Sequence, residues 1–302
     1  MNNSWLFFAL LAPAIYALVV FIDKYVVSKE IKDYLCMPIY SAIVGLIAGT
    51  LLWLVFGRPL LSFKDTIIVF SVGILSMFSF VAYFKAIMHD EASTINLLFQ
   101  MTPVLIIILS FLFLKERLTV TQLIGFVVIF GGTLGVSLEI PKRGEEIRFT
   151  PAFFLIVLYD VLWASSAILM KFALEVNTFT KNLSYYSWGV GLGGVVLYLF
   201  VPSIRKAFLE NVKKVRKRAI GLISFNEALF ILGRSITYYA FSIGSVALVS
   251  VLEGTQVFYG ILFGWIAMFI APKIFKENIG RFELLKKILS ATILFFGIWL
   301  VS

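Results

Sequence analysis

A chain of 302 residues that is 61% hydrophobic, 16% aromatic and only 14% charged falls well below the about 25% charge of soluble domains, which excludes an ordinary soluble protein. Its net charge of +9 reads as loop cations under the positive-inside bias, facing anionic lipid headgroups, and not as a nucleic-acid surface. A single cysteine, Cys36, and a single histidine, His89, exclude an intramolecular disulfide and any metal centre built on Cys or His clusters.

Apolar segments recur from one end of the chain to the other, so the expected class is an all-α polytopic integral membrane protein. About 20 residues cross a bilayer as a helix. Ten spans are expected on that measure, near 4–24, 36–56, 66–87, 92–114, 120–138, 151–172, 183–202, 219–242, 245–270 and 283–301. The first, MNNSWLFFAL onward, has no basic leader or small-residue cleavage site and is read as a retained helix. Connections are short except at 139–150 and 203–218. The former, EIPKRGEEIRFT, is polar and divides the chain nearly in half. The latter sets Ile204, Phe208, Val212 and Val215 among seven cations, a pattern that suits a helix lying on anionic lipid or a solvated charged loop.

The two halves share an order of features. Tyr16 precedes Lys24 by eight residues in span 1, as Trp163 precedes Lys171 in span 6. Span 2 carries Gly45 and Gly49 as G-x-x-x-G, and span 7 carries Gly189 and Gly193. Each motif is common alone; the shared order predicts two repeats, 1–140 and 151–302, around a linker at 141–150. Because five helices is an odd number, tandem repeats of five must lie in opposite orientations, which places a site near the midplane between them. About 19 of the 26 cations fall in the loops after odd-numbered spans, which puts those loops in the cytoplasm and both termini outside.

The run PVLIIILSFLFLKERLTVTQLIGFVVIFGG, with Pro103-Val104, Glu116-Arg117, Ile124-Gly125 and Gly131-Gly132, resembles the EamA family of the drug/metabolite transporter superfamily. The resemblance implies ten helices in two repeats, alternating access, and a cavity walled by spans 1, 3, 4, 6, 8 and 9. It also implies cytoplasmic termini, opposite to the charge bias. The second repeat departs from the pattern, with Gln256-Val257 and then Lys276-Glu277 where the first has Pro-Val and Glu-Arg.

Ionisable groups deep in a span are costly and mark function. With the turn between spans 8 and 9 near Ile243-Gly244, Arg234 and Glu253 each lie about nine residues, or about 14 Å, from one membrane face. Two readings stay open: a direct Arg234–Glu253 pair, or two groups that face apart and find water or substrate. Helical spacing puts Glu227, Arg234 and Tyr238 on one face, Glu253, Gln256 and Gly260 on a second, and Asn96, Gln100 and Pro103 on a third. Asn96 and Gln100 serve equally well as interhelical packing groups. Asp160 and Trp163 add a polar and an aromatic group to span 6. Tyr16, Tyr83, Trp163, Tyr238 and Tyr259 are candidates for an aromatic lining able to stack on organic molecules. Asp23-Lys24, Lys85, Glu116-Arg117 and Lys171 lie at helix ends, where long side chains snorkel, and are expected as anchors or gate residues and not as substrate ligands.

The expected function is a secondary transporter of a small organic solute, sufficient as a monomer, with Glu253 and Asp160 as candidates for proton coupling or for binding a cationic group. The sequence leaves the coupling ion open between a proton and another. A flippase of a lipid-linked sugar or nucleotide-sugar-like substrate is the alternative. Neither a nucleophile–base pair nor a metal-ligand cluster supports an enzyme, no cofactor is called for, and the host is expected to be the cell membrane.

Overall fold

The computed structural model describes residues 4–115, 119–139, 148–270 and 281–301. Glu116-Arg117, most of the polar linker and Lys276-Glu277 lie outside the described residues.

The described residues form helices joined by short connections, apart from a two-residue antiparallel ladder. Helix α1 (Ser4–Tyr25) continues through a π-helical turn, Val26–Glu30, to a 3₁₀ turn, Tyr34–Cys36, whose start is held by Asp33 accepting from the Leu35 amide. Helices α2 (Met37–Val55) and α3 (Phe63–His89) follow. Gly57 (φ 78°) and Arg58 (φ 59°) turn the chain between them. Ser62 caps α3 by accepting from the Asp65 amide at 3.1 Å. Then come α4 (Ala92–Leu98), α5 (Met101–Leu114), α6 (Val120–Ser137) and the ladder of β1 (Leu138–Glu139) with β2 (Arg148–Phe149). The second half holds α7 (Pro151–Val176), α8 (Phe179–Phe200), α9 (Pro202–Val212), α10 (Lys217–Ile243), α11 (Val246–Glu253), α12 (Gln256–Ile270) and α13 (Arg281–Val301).

Among the described residues, eight segments are long and apolar enough to cross a membrane: Trp5–Glu30, Tyr34–Val55, Phe63–His89, Thr94–Leu114, Pro151–Val176, Phe179–Phe200, Lys217–Ile243 and Val246–Ile270. The other two expected spans are the helices α6 and α13, which pack on each other. Large apolar side chains such as Phe7, Leu51, Phe154, Phe200 and Phe269 are exposed outward, as lipid-facing positions require. This is a multi-pass membrane protein. The 203–218 segment holds a helix, α9, which turns Ile204 and Ala207 inward; Tyr40 donates to Asn211 there at 2.9 Å.

The bundle is closed by small residues. Gly45 and Gly49 of α2 lie against the α8 carbonyls of Ser187 and Ser184, as glycine-mediated helix contacts allow. The Gly189/Gly193 pair does not return that contact but meets α3, at Phe70 and Met77; Gly191 and Gly194 are the residues that admit Leu46 and Ala42 of α2.

Two expected continuous spans are broken. The 92–114 span stops at Leu98 and restarts at Met101, and the 245–270 span stops at Glu253 and restarts at Gln256. The first break has a covalent cause: Pro103 has no amide to offer the Phe99 carbonyl, and its ring crowds that carbonyl. At the second, Gly254 is a poor helix former and the Thr255 hydroxyl bonds back to the Leu252 carbonyl at 2.8 Å. Both are bridged alike. The amide of Gln100 bonds Leu97 and that of Thr102 bonds Phe99; the amide of Thr255 bonds Leu252 and that of Val257 bonds Gly254. These are four i→i+3 bonds of 3₁₀ type.

The corners before the broken helices also agree. Asp90 ends α3 at φ −141°, ψ 171°, and Gly244 ends α10 at φ −141°, ψ 176°. Lys24 donates to the carbonyls of Ile87 and Asp90, while Lys171 donates to those of Phe241 and Gly244. The expectation that these lysines snorkel to headgroups is therefore corrected: their ammonium groups are spent on carbonyls at helix C-termini, where cations are stabilised. Lys85, by contrast, is exposed.

A Cβ on Gly73 would lie 2.4 Å from the Tyr186 carbonyl oxygen and the Val190 amide nitrogen, whereas one on Gly131 would meet nothing within 4 Å. Gly73→Ala should lower the unfolding free energy by about 1–3 kcal/mol through overpacking, and Gly131→Ala should leave it unchanged or slightly raised. Thermal unfolding in detergent micelles checks both.

Candidate functional site

The two helix breaks face one cavity of about 780 Å³, counted with its mouth. Phe99, Gln100, Thr102 and Pro103 line it at the first break, and Glu253, Gly254 and Gln256 at the second. From this level the cavity runs toward the end of the bundle where α1 passes to α2, reaching Asp23, Ser41, Asn226 and Glu227. Its walls between are aromatic: Tyr16, Phe80, Tyr83, Phe84, Tyr159, Trp163 and Phe230. Tyr159 stacks on Trp163 at 5.3 Å between centroids and lies 4.7 Å from Phe99. The lining contains three carboxylates and neither a lysine nor an arginine.

Six sequence-predicted site residues sit at this level or beside it in hydrogen-bonded sets. Thr237 donates to Glu253 Oε1 at 2.9 Å. The single Thr237 hydroxyl proton is thereby used, so Tyr16, 3.1 Å away, is the donor to Thr237. The result is a relay from Tyr16 through Thr237 to Glu253. Gln256 donates to Asn96 Oδ1 at 2.7 Å, and the same Asn96 fills the space beside Gly260. Asn96 thus serves as packing between the broken helices and does not line the cavity. Gln100 does line it, with its Oε1 buried and unpartnered. Asp160 is fully buried behind the wall and accepts from Thr102 at 2.5 Å.

Arg234 and Glu253 are at neighbouring depth, as the turn at Ile243-Gly244 requires, but they form no ion pair among the described residues. Arg234 is 1% exposed and its guanidinium sits instead 3.7 Å from the Trp163 ring centroid, 4.3 Å from Tyr238 and 5.6 Å from Tyr186. Its Nη2 donates to Ser166 at 3.4 Å, and Ser166 bonds Ser76 at 3.1 Å. An aromatic cage replaces the carboxylate, and desolvated cation–π contacts are worth about 2 kcal/mol or more. Arg234 and Tyr238 are therefore behind the cavity wall. Tyr259 is also outside it, stacked on Phe263 at 6.3 Å.

Two groups at the other end of the cavity were not among the expected site residues. Asp23, expected as a helix-end anchor, is 4% exposed; it accepts from Tyr83 and from Asn226, both at 2.8 Å. Glu227, recognised only as sharing a face with Arg234, accepts from Ser41. The extension of α1 past Tyr25 by a π-helical turn carries Asp23 away from the helix end and into the bundle. A sign was present in the sequence: Asp23 and Tyr16 are seven residues apart and so share one face of α1.

Arg234→Lys should lower stability by about 1–2 kcal/mol, because a compact ammonium cannot stack its plane on Trp163 and Tyr238 as a guanidinium does. Unfolding midpoints of the purified variant and parent, compared in one detergent, test this; equal midpoints would remove the cage as the hold on Arg234.

Comparison with known proteins adds to this geometry. Residues 3–138 match the EamA-like transporter family. One solved crystal structure, 17% identical, superposes with a TM-score of 0.53 over 95% of this chain and 93% of its own; that likeness is one of fold. No curated protein sequence matches. Family members are membrane transporters and not enzymes. Residues 3–138, a little under half of the chain, are thus similar to the EamA-like transporter family.

Proposed function

We propose that this protein is a secondary carrier that moves a small organic solute across the cell membrane by alternating access. In this reading it is built from two five-helix units, 1–140 and 151–302, of opposite orientation, joined by the linker at 141–150. Ten membrane crossings follow, with α6 and α13 as the fifth and tenth. The observation that carries the reading is the pair of broken helices facing one cavity, since discontinuous helices at the interface of inverted repeats are where carriers bind their substrates. The correspondence of the two corners, the two lysine clamps and the two 3₁₀ turns supports the repeat. So does the packing: α1 meets α10 as α7 meets α3, α1 meets α12 as α7 meets α5, and α2 and α6 meet their own counterparts α8 and α13.

The solute contacts fall to Tyr16, Tyr83, Gln100, Trp163, Glu253 and Gln256, with Asp160, Arg234 and Tyr238 supporting the wall from behind. Glu253, fed by the Tyr16–Thr237 relay, is the coupling group for a proton. The end of the cavity near Asp23 faces the cytoplasm on the Lys/Arg bias, and the cationic α9 region lies against anionic headgroups there. One copy encloses the whole cavity, so a monomer suffices. A phosphate-bearing lipid substrate fits poorly, because the cavity wall holds no basic side chain to receive it.

Proteoliposomes containing the purified protein should show saturable solute flux and counterflow, and Glu253→Gln should abolish accumulation driven by a proton gradient. Flux that rises without saturation would overturn the carrier. A stable, monodisperse Glu253→Gln variant that concentrates solute normally would remove Glu253 as the coupling group.

A further inference from the structure

The cavity is chemically lopsided. Its end near Asp23 is built from acceptors: both Asp23 oxygens take one hydrogen bond each, from Tyr83 and Asn226, and Glu227 takes one on Oε1 from Ser41. Glu227 Oε2 has no hydrogen-bond partner among the described residues. Asn226, 2% exposed, donates from Nδ2 to Asp23 and to the Val19 carbonyl. That fixes its amide orientation, because a flipped amide would set its oxygen against two acceptors. Its Oδ1 is left buried without a partner in the cavity wall. Gln100, also 2% exposed, leaves its Oε1 unpartnered at the opposite side of the same space. Buried acceptors in this state are costly unless something donates to them.

No donor with a positive charge is available from the wall. The buried cation near this cavity, Arg234, is held behind Trp163 at the far end, where it opposes entry of a second cation. The acceptors at the near end are spread along the cavity, and among the described residues no three Asp, Glu, His or Cys side chains converge as ligands to a metal ion would. What fits carboxylates, unpaired amide oxygens and aromatic faces together is an organic ammonium, which can donate N–H bonds and rest its charge on Tyr83, Phe84 and Phe99.

We propose that the transported solute is an organic amine in its cationic form, bound with its ammonium group between Asp23, Glu227 and Asn226 and its apolar part against the aromatic wall toward Trp163. This rests on the carrier reading and narrows it to a substrate class. It separates the roles of the carboxylates: Asp23 and Glu227 read the substrate charge, and Glu253 carries the coupling proton.

The test uses three phenylalkyl compounds of similar size with the purified full-length protein: 2-phenylethylammonium, the neutral 2-phenylethanol and the anionic phenylacetate. The cation should bind at least tenfold tighter than the alcohol, and the anion should not compete. Asp23→Asn and Glu227→Gln should each reduce the preference for cation over alcohol at least tenfold. Gel filtration and unfolding midpoints report whether each variant is folded; should one unfold, the other carries the test. Failure of the cation to bind, equal or tighter binding of the alcohol or the anion, or a preference that survives both substitutions would overturn the proposal. Counterflow in proteoliposomes keeps the two readings apart. Selective binding of the cation without counterflow retires the carrier and leaves the ligand class. Counterflow of another solute that the cation does not inhibit retires the ligand class and leaves the carrier.

Discussion

The organisation of this protein turns on a rule of the bilayer interior: every backbone amide and carbonyl must be satisfied within the protein. Breaking a helix at midspan exposes such groups, and two of the long helices are broken there. Each break keeps its bonds by tightening to i→i+3, at Leu97–Gln100 and Phe99–Thr102 in one half and at Leu252–Thr255 and Gly254–Val257 in the other. The cavity lies against both tightened turns, lined by Phe99, Gln100, Thr102 and Pro103 at one and by Glu253, Gly254 and Gln256 at the other. Pro103 in one half and Gly254 with Thr255 in the other reach this geometry by different chemistry, which indicates that the tightened turn, more than any residue type, is what the two halves have in common.

A second constraint is the buried guanidinium. Arg234 sits where a carboxylate, Glu253, is within the same layer, and yet the two do not pair. Removing both charges from water to form a pair often costs more than the pair returns. The cage of Trp163, Tyr238 and Tyr186 holds Arg234 without consuming Glu253, and the carboxylate stays turned toward the cavity on Thr237. A direct pair would have been the simpler way to bury a charge, but it would have left the cavity with one fewer titratable group.

The sequence was most legible where the chemistry is covalent or periodic. Hydropathy located the eight long apolar helices, and the absence of spare residues at Ile243-Gly244 was enough to level Arg234 with Glu253. Periodicity alone grouped Asn96, Gln100 and Pro103, and Glu253, Gln256 and Gly260, on shared faces, and the structure brings these two faces together. What spacing could not provide is the third dimension. Asp23 beside Lys24 reads as a charged helix end until the π-helical turn places it inside the bundle. Lys171 reads as an anchor until the α10 terminus arrives beside it. The break at Phe99–Gln100 is foreshadowed in the sequence by Pro103, which has no amide for the Phe99 carbonyl. The Arg234 cage draws on three rings from two other stretches of chain and its own, a convergence that no local pattern encodes.

The lysine clamps link these parts. Lys24 belongs to the helix that carries Tyr16 and Asp23 into the cavity, and it holds the corner that launches α4 toward its break; Lys171 belongs to the helix that carries Asp160 and Trp163, and it holds the corner that launches α11. Each clamp therefore fixes the distance between one cavity wall and one broken helix, and the two lie at opposite ends of the bundle, since Gly244 lies beside Trp5 at the start of α1 and Asp90 beside Lys24 at its end. A motion that loosens one corner while the other holds would open the cavity at one end and keep it shut at the other. Ammonium-to-carbonyl bonds suit such corners, because a lysine stem can release and regain its partners without breaking the helix it stands on.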